Sequence, residues 1–110
     1  MAAVASKADV WVEFLPTTSG GRKAPAILNI GIYRPHLRVG NGEMLGVVFI
    51  AGPRTAVAPG SSANATVQFM YESTISYRDL AEGASFEILE GPFVVGRGRV
   101  VKLNLVAQQA

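Results

Sequence analysis

The sequence predicts an all-β fold, a small antiparallel barrel or sandwich, from three observations. Hydrophobic and polar residues alternate with a period of two over several short runs, which is typical of half-buried strands. Turn-forming residues separate these runs, and no segment has the spacing of a helix of ordinary length. Hydrophobic residues make up 49% of the 110 residues, enough for one compact domain with one core.

The predicted strands are clearest in four runs. Residues 62–72 alternate most regularly, and residues 8–15 follow the same pattern. Residues 85–88 form a shorter run of this kind. The last run begins at Arg99, and its predicted apolar face consists of Val101, Leu103 and Leu105.

Glycines and large aromatic residues refine this prediction. Asn41-Gly42 lies between two apolar runs and is a strong signal for a hairpin. Gly96 and Gly98 interrupt the last apolar run, which predicts a bulge or a sharp bend. The large aromatic residues are expected mainly in the core: Trp11, Phe14, Phe49, Phe69, Phe86 and Phe93.

We expect a single domain over residues 8–106, with tails at residues 1–7 and 107–110. The N-terminus lacks the basic start and long apolar run of a signal peptide. No uncharged apolar stretch approaches the roughly 18 residues that a membrane-spanning helix needs. We therefore expect a cytoplasmic protein that does not enter the membrane.

Residue types that carry catalysis are scarce. There is no cysteine and one histidine, His36, which we expect in a turn or on the surface. No group of His, Asp and Glu has metal-ligand spacing. Gly96-Arg97-Gly98 lacks the third glycine of a dinucleotide fingerprint, and no GTP-binding phosphate loop is present. The expected protein is not an enzyme and uses no cofactor, metal or GTP.

Charge is unevenly distributed along the chain. The formal net charge of +2 is too small to predict nucleic-acid binding by itself. Residues 14–42 and 91–110 contain no acid, whereas acids are frequent between residues 72 and 90. The two acid-free segments carry most of the basic residues: Arg22, Lys23, Arg34, Arg38, Arg97, Arg99 and Lys102. One face is positive if these two segments meet.

A series of short motifs points to a known family. They are residues 20–25 (GGRKAP), 33–36 (YRPH), 46–48 (GVV), 57–60 (VAPG), 82–88 (EGASFEI), 90–91 (EG) and 95–101 (VGRGRVV). In order and approximate spacing, this set resembles the third, C-terminal β-barrel domain of elongation factor Tu, without the GTPase that normally carries it. The resemblance covers residues 9–102 and implies a six-stranded antiparallel Greek-key barrel.

The resemblance also implies binding residues. In that family the domain helps to hold the T arm of aminoacyl-tRNA and contacts the nucleotide-exchange factor and the GTPase domain. The positions that match its tRNA contacts are Arg22, Lys23, His36, Glu90 and Gly91. Cations on a loop suit phosphate binding. Arg38 and Arg97 complete the predicted surface for nucleic acid or a partner.

Two functions remain open. The first is a non-catalytic module that contacts tRNA or another translation component, with Arg22 and Lys23 exposed on the loop of residues 16–23. The second is a protein-interaction domain that mimics the elongation factor barrel without binding RNA, through an apolar patch around Phe93 and Leu45. This alternative arises because Leu45, Ser76 and Phe93 replace polar or basic contacts of the family.

Overall fold

A computed structural model describes residues 6–106 and confirms the all-β prediction. Within these residues, the only helical segment is one turn of 3-10 helix at Thr17–Ser19. The six strands are β1 (Lys7–Phe14), β2 (His36–Arg38), β3 (Leu45–Ala51), β4 (Ser62–Phe69), β5 (Ser85–Glu90) and β6 (Phe93–Asn104).

The strands close into an antiparallel barrel in the order β1-β4-β3-β2-β5-β6, with β6 paired to β1. Strands β2, β3 and β4 are successive neighbours, and β1 pairs with β4 beyond them, which is the Greek-key arrangement. Closure pairs both sides of every strand and so leaves no open sheet edge. The six-stranded antiparallel Greek-key barrel is therefore confirmed.

Alternate residues fill the barrel. In β1, Ala8, Val10, Val12 and Phe14 point inward and are at most 1% exposed. Four of the six predicted core aromatics are buried: Phe14, Phe49, Phe69 and Phe86. The prediction is wrong for Phe93, which is 68% exposed beside the turn into β6. Trp11 is partly exposed because it occupies an outward position of β1.

Strand β6 departs from its predicted course. It begins at Phe93 rather than Arg99, and it contains two bulges against its neighbours. Val95 is the extra residue in one of them, so the irregularity predicted near Gly96 is confirmed. Val101 is the extra residue in the other; it faces solvent and is 57% exposed, whereas Val100 is buried. The predicted apolar face is therefore wrong at Val101, and also at Leu105, which is 66% exposed.

The connections between strands gather at two ends of the barrel. One end holds residues 15–35, 52–61 and 91–92, and the other holds residues 39–44 and 70–84. At the first end, the backbones of Ala26 and Val57 exchange hydrogen bonds of 2.9 and 2.8 Å. These bonds hold the two long connections, residues 15–35 and 52–61, side by side.

The ordered barrel starts slightly before residue 8. Lys7 belongs to β1, and Ser6 is buried, with its hydroxyl accepting a hydrogen bond from the Val106 N–H at 2.9 Å. The remaining parts of the predicted tails, residues 1–5 and 107–110, lie outside the described residues. Among residues 6–106, no helix has the length and apolar character needed to span a membrane.

Candidate functional site

Charged residues in the connections are segregated between the two ends of the barrel. Connections at the first end contain four cations and no acid: Arg22, Lys23, Arg34 and Arg54. Connections at the second end contain one cation, Arg78, and four acids: Glu43, Glu72, Asp79 and Glu82. We refer to them as the cationic end and the acidic end. Because the fields of neighbouring like charges add, the cationic end attracts anions.

Arg22 is held by the protein itself. Its Nη1 donates to the Glu90 carboxylate, and its Nε donates to the Ala24 carbonyl at 3.1 Å. The guanidinium carbon lies 4.9 Å from the centroid of the Tyr33 ring, and the Tyr33 hydroxyl donates to Glu90 at 2.6 Å. Since only 21% of the Arg22 side chain is exposed, the expectation of an exposed Arg22 is wrong.

The electrostatics of this Arg22–Tyr33–Glu90 cluster keep it locally neutral. Burial alone would lower the pKa of Arg22, but the hydrogen bond and negative charge of Glu90 raise it above its ordinary value. Burial, together with Glu90, also raises the pKa of Tyr33. The cluster therefore holds one cation, one anion and a neutral phenol, and it fastens residues 15–35 to the end of β5.

Lys23 and Gly91 lie next to this cluster in the chain. Lys23 is exposed and forms no hydrogen bond or ion pair within residues 6–106. Gly91 has a φ of 58°, a left-handed conformation that favours glycine, so it shapes the turn from β5 to β6. Lys23 is thus free to bind an anion, whereas the side chain of its neighbour Arg22 is already occupied.

His36 lies on the outer wall, in β2, and is partly exposed. The ring of Tyr71 covers Gly46, the register partner of His36 on β3. A Cβ on Gly46 would be 2.7 Å from the Tyr71 ring and 3.7 Å from His36 Nε2, so both side chains lie over this glycine.

Leu45, Ser76 and Phe93, which differ from the expected tRNA contacts of elongation factor Tu, lie in different parts of the barrel. Leu45 is fully buried in the core, so the expected apolar patch around Phe93 and Leu45 is wrong. Ser76 is exposed at the acidic end, whereas Phe93 lies beside the turn at the cationic end. Of the three, only Phe93 therefore lies at the cationic end.

Arg38 and Arg97 come together in a row of alternating charges on the outer wall. Arg38, Glu87, Arg97 and Glu13 are successive register partners on β2, β5, β6 and β1. Arg38 donates to Glu87 at 3.0 Å, and Arg97 binds Glu13 at 2.9 Å. Such partly exposed pairs contribute roughly 0–1 kcal/mol each, so they order the side chains more than they stabilise the fold.

Beside this row is an open groove of about 540 Å³, which we name the Trp11 groove. Trp11 and Arg99 are register partners on its β1 and β6 side. Arg99 is exposed and forms no hydrogen bond or ion pair among the described residues. The groove is lined by Trp11, Arg38, Gly40, Asn41, Ser85, Phe86, Glu87, Arg97, Gly98 and Arg99. It thus combines a partly exposed indole with three guanidinium groups.

A search against known protein families finds none that the chain matches. Within residues 6–106, no three His, Asp or Glu side chains are grouped so that they could hold a metal ion.

Sequence reasoning missed the Trp11 groove because it assigned Trp11 to the core. The alternation of β1 contained the necessary signal, since Trp11 falls on the face opposite Val10 and Val12 and shares it with Glu13. The pairing of Trp11 with Arg99 was not visible, because it depends on the register between the first and last strands.

Proposed function

We propose that this protein is a non-catalytic RNA-binding module, similar in role to the third domain of elongation factor Tu. The cationic end binds phosphates of tRNA or of another RNA of translation. The observation that carries this proposal is the segregation of charge: the connections at that end contain no acid, and three of their four cations, Lys23, Arg34 and Arg54, form no ion pair within residues 6–106. Backbone phosphates are the ligands that such a surface favours.

The Arg22–Tyr33–Glu90 cluster supports the proposal indirectly. It anchors the loop that carries Lys23, so this lysine extends from a fixed backbone. Arg34 and Arg54, on neighbouring connections, are exposed as well. A surface ordered before binding loses less conformational entropy when the ligand arrives. Lys23, Arg34 and Arg54 are therefore the proposed phosphate ligands, and Arg22 positions the loop that carries Lys23.

Binding of labelled tRNA at several salt concentrations tests the proposal. Replacing both Lys23 and Arg54 with Ala should weaken binding and reduce the slope of log affinity against log salt by about 1.4–1.8, or 0.7–0.9 per contact. Arg78→Ala, at the acidic end, is the matched control and should leave both quantities unchanged. An unchanged slope in the double variant, or no binding by the wild type at low salt, contradicts the proposal.

A protein-interaction domain that mimics the elongation factor barrel is the second candidate, and exposed apolar side chains favour it. Ile30 and Ile32 are each 60% exposed, and Phe93 is 68% exposed, all in or beside connections of the cationic end. Large apolar side chains in contact with water are typical of docking surfaces when they are contiguous. Binding to a translation factor that resists high salt and is lost in Phe93→Ser would favour this function over RNA binding.

A further inference from the structure

Trp11 occupies an unusual place for a large aromatic residue. It is the only tryptophan in the sequence, and it is partly exposed on the outer wall. Its neighbours along the strand, Val10 and Val12, point inward and are at most 1% exposed, so the core of β1 is complete without the indole. On the outer wall its register partners are Arg99 and Asn64. Filling the core is therefore not the role of Trp11.

The groove beside Trp11 has the dimensions and polar groups of a ligand site. Its volume of about 540 Å³ falls within the range of known clefts, about 300–1,000 Å³. Arg99 has no partner among residues 6–106, and Arg97 keeps 68% of its side chain exposed while it binds Glu13. Asn41 adds an amide from the hairpin between β2 and β3. A flat ring beside cations suits a nucleobase and its phosphate.

We propose that the Trp11 groove binds one unpaired nucleotide of single-stranded RNA, with the base stacked on Trp11 and the phosphate held by Arg99 and Arg97. This inference rests on the proposed function, and it adds that the RNA has a single-stranded segment. Bases inside a duplex are stacked on one another and cannot present a face to Trp11. Glu13 and Glu87 offset two of the three arginines, which limits the groove to about one phosphate.

The single tryptophan makes the test direct, because indole fluorescence then reports on this groove alone. The wild-type protein is titrated with single-stranded oligoadenylate, with duplex RNA of the same length and with inorganic polyphosphate. We expect saturable quenching by oligoadenylate and none by polyphosphate, which has charge but no base. Equal quenching by polyphosphate or by duplex RNA overturns the inference.

Variants test the same contact through binding of a labelled oligoadenylate. Trp11→Thr keeps a residue that favours strands and should weaken binding about 5- to 150-fold, the loss typical of one stacked base. Trp11→Phe should retain most of the affinity. Tyr71→Thr, which removes a half-exposed aromatic ring outside the groove, is the matched control and should bind like the wild type. If Trp11→Thr does not fold, Arg99→Ser tests the contact instead. It should bind oligoadenylate several-fold more weakly and reduce the slope of log affinity against log salt.

The outcomes separate this inference from the proposed function. One outcome is that tRNA binding depends on salt while Trp11 fluorescence stays unchanged, and that Trp11→Thr binds oligoadenylate like the wild type. This outcome overturns the proposed nucleotide site in the groove and leaves the cationic end as the RNA site. No binding of any RNA at low salt overturns both. Quenching by polyglutamate but not by oligoadenylate assigns the groove to an acidic protein segment and also overturns the inference.

Discussion

Glu90 accepts hydrogen bonds from both Arg22 and Tyr33. Replacing Glu90 therefore tests how much the cluster contributes to the stability of the fold. Glu90→Gln keeps the shape but removes the charge, so we expect a loss of about 1–2 kcal/mol in the free energy of unfolding. Glu87→Gln, which affects a more exposed pair with Arg38, is the control and should cost less. Urea unfolding measures both. Equal losses would show that burial of the cluster does not matter.

Although Glu90→Gln should lower stability, it should not weaken the binding of tRNA. Without the Glu90 carboxylate, the positive charge of Arg22 is no longer offset at the cationic end, so tRNA affinity at low salt should stay the same or rise. If Glu90 itself contacts RNA, as the family resemblance implies, the affinity should fall. Titration of labelled tRNA against Glu90→Gln distinguishes these two roles.

Tyr33 makes stability sensitive to alkaline pH. Its pKa is raised in the folded protein, whereas the unfolded chain loses the phenolic proton near pH 10. Its contribution is therefore fully present below about pH 10 and is lost as pH rises through the folded-state pKa. Tyr33→Phe should be about 1 kcal/mol less stable at neutral pH but should lose less stability above pH 10.

Thermal unfolding across alkaline pH checks this expectation. Tyr71→Phe, whose ring is half exposed, is the control and should follow the wild-type curve. Some alkaline loss should remain in Tyr33→Phe, because burial also raises the pKa of Tyr77. Parallel curves for the wild type and Tyr33→Phe would contradict the assignment.

Strand β6 packs closely against Trp11 of β1 and Phe86 of β5 at Gly98. A Cβ there would collide first with the backbone carbonyl oxygen of Trp11 and would also lie 2.7 Å from Cζ of Phe86. Gly98→Ala should therefore destabilise the barrel by about 1–3 kcal/mol, as in other overpacked interiors. Arg99→Ala, at the next and outward-facing position, is the control and should cost less than about 0.5 kcal/mol.

Denaturant unfolding of the Gly98→Ala variant measures the loss of stability, and a second substitution identifies the cause of that loss. Phe86→Leu removes ring atoms from the space that the added methyl group needs. If the ring is the main obstacle, the double variant should be more stable than the sum of the two single losses predicts. Strict additivity would instead assign the strain to the Trp11 carbonyl.

The sequence predicted the elements well where pairing is regular and poorly where it is not. Period-two alternation located β1 and β4 because their ladder runs without interruption from Lys7 to Glu13. It failed at Val101, since a bulge reverses the faces of the strand and depends on the partner strand. Arg38 and Arg97 lie in one row on the outer wall, but the sequence did not indicate that Glu87, from a distant segment, lies between them.

For the whole molecule, we expect no GTP binding. The sequence contains no phosphate loop of the kind that cradles nucleotide phosphates at the start of a helix. The proposed role is therefore binding without the hydrolysis that drives elongation factors. Calorimetry with GTP and magnesium should detect no heat of binding, and a stoichiometric isotherm would contradict the expectation.

The segregated charges of the connections contribute an electric dipole, with positive charge around Lys23 and negative charge around Asp79. A dipole turns in the field of a distant polyanion before any contact forms. Encounters with RNA should therefore occur pole first, and more often than the net charge of +2 suggests. Salt shortens the range of this field to about 8 Å at physiological ionic strength. Orientation then governs how fast the protein finds its ligand, while short-range contacts govern how long it stays.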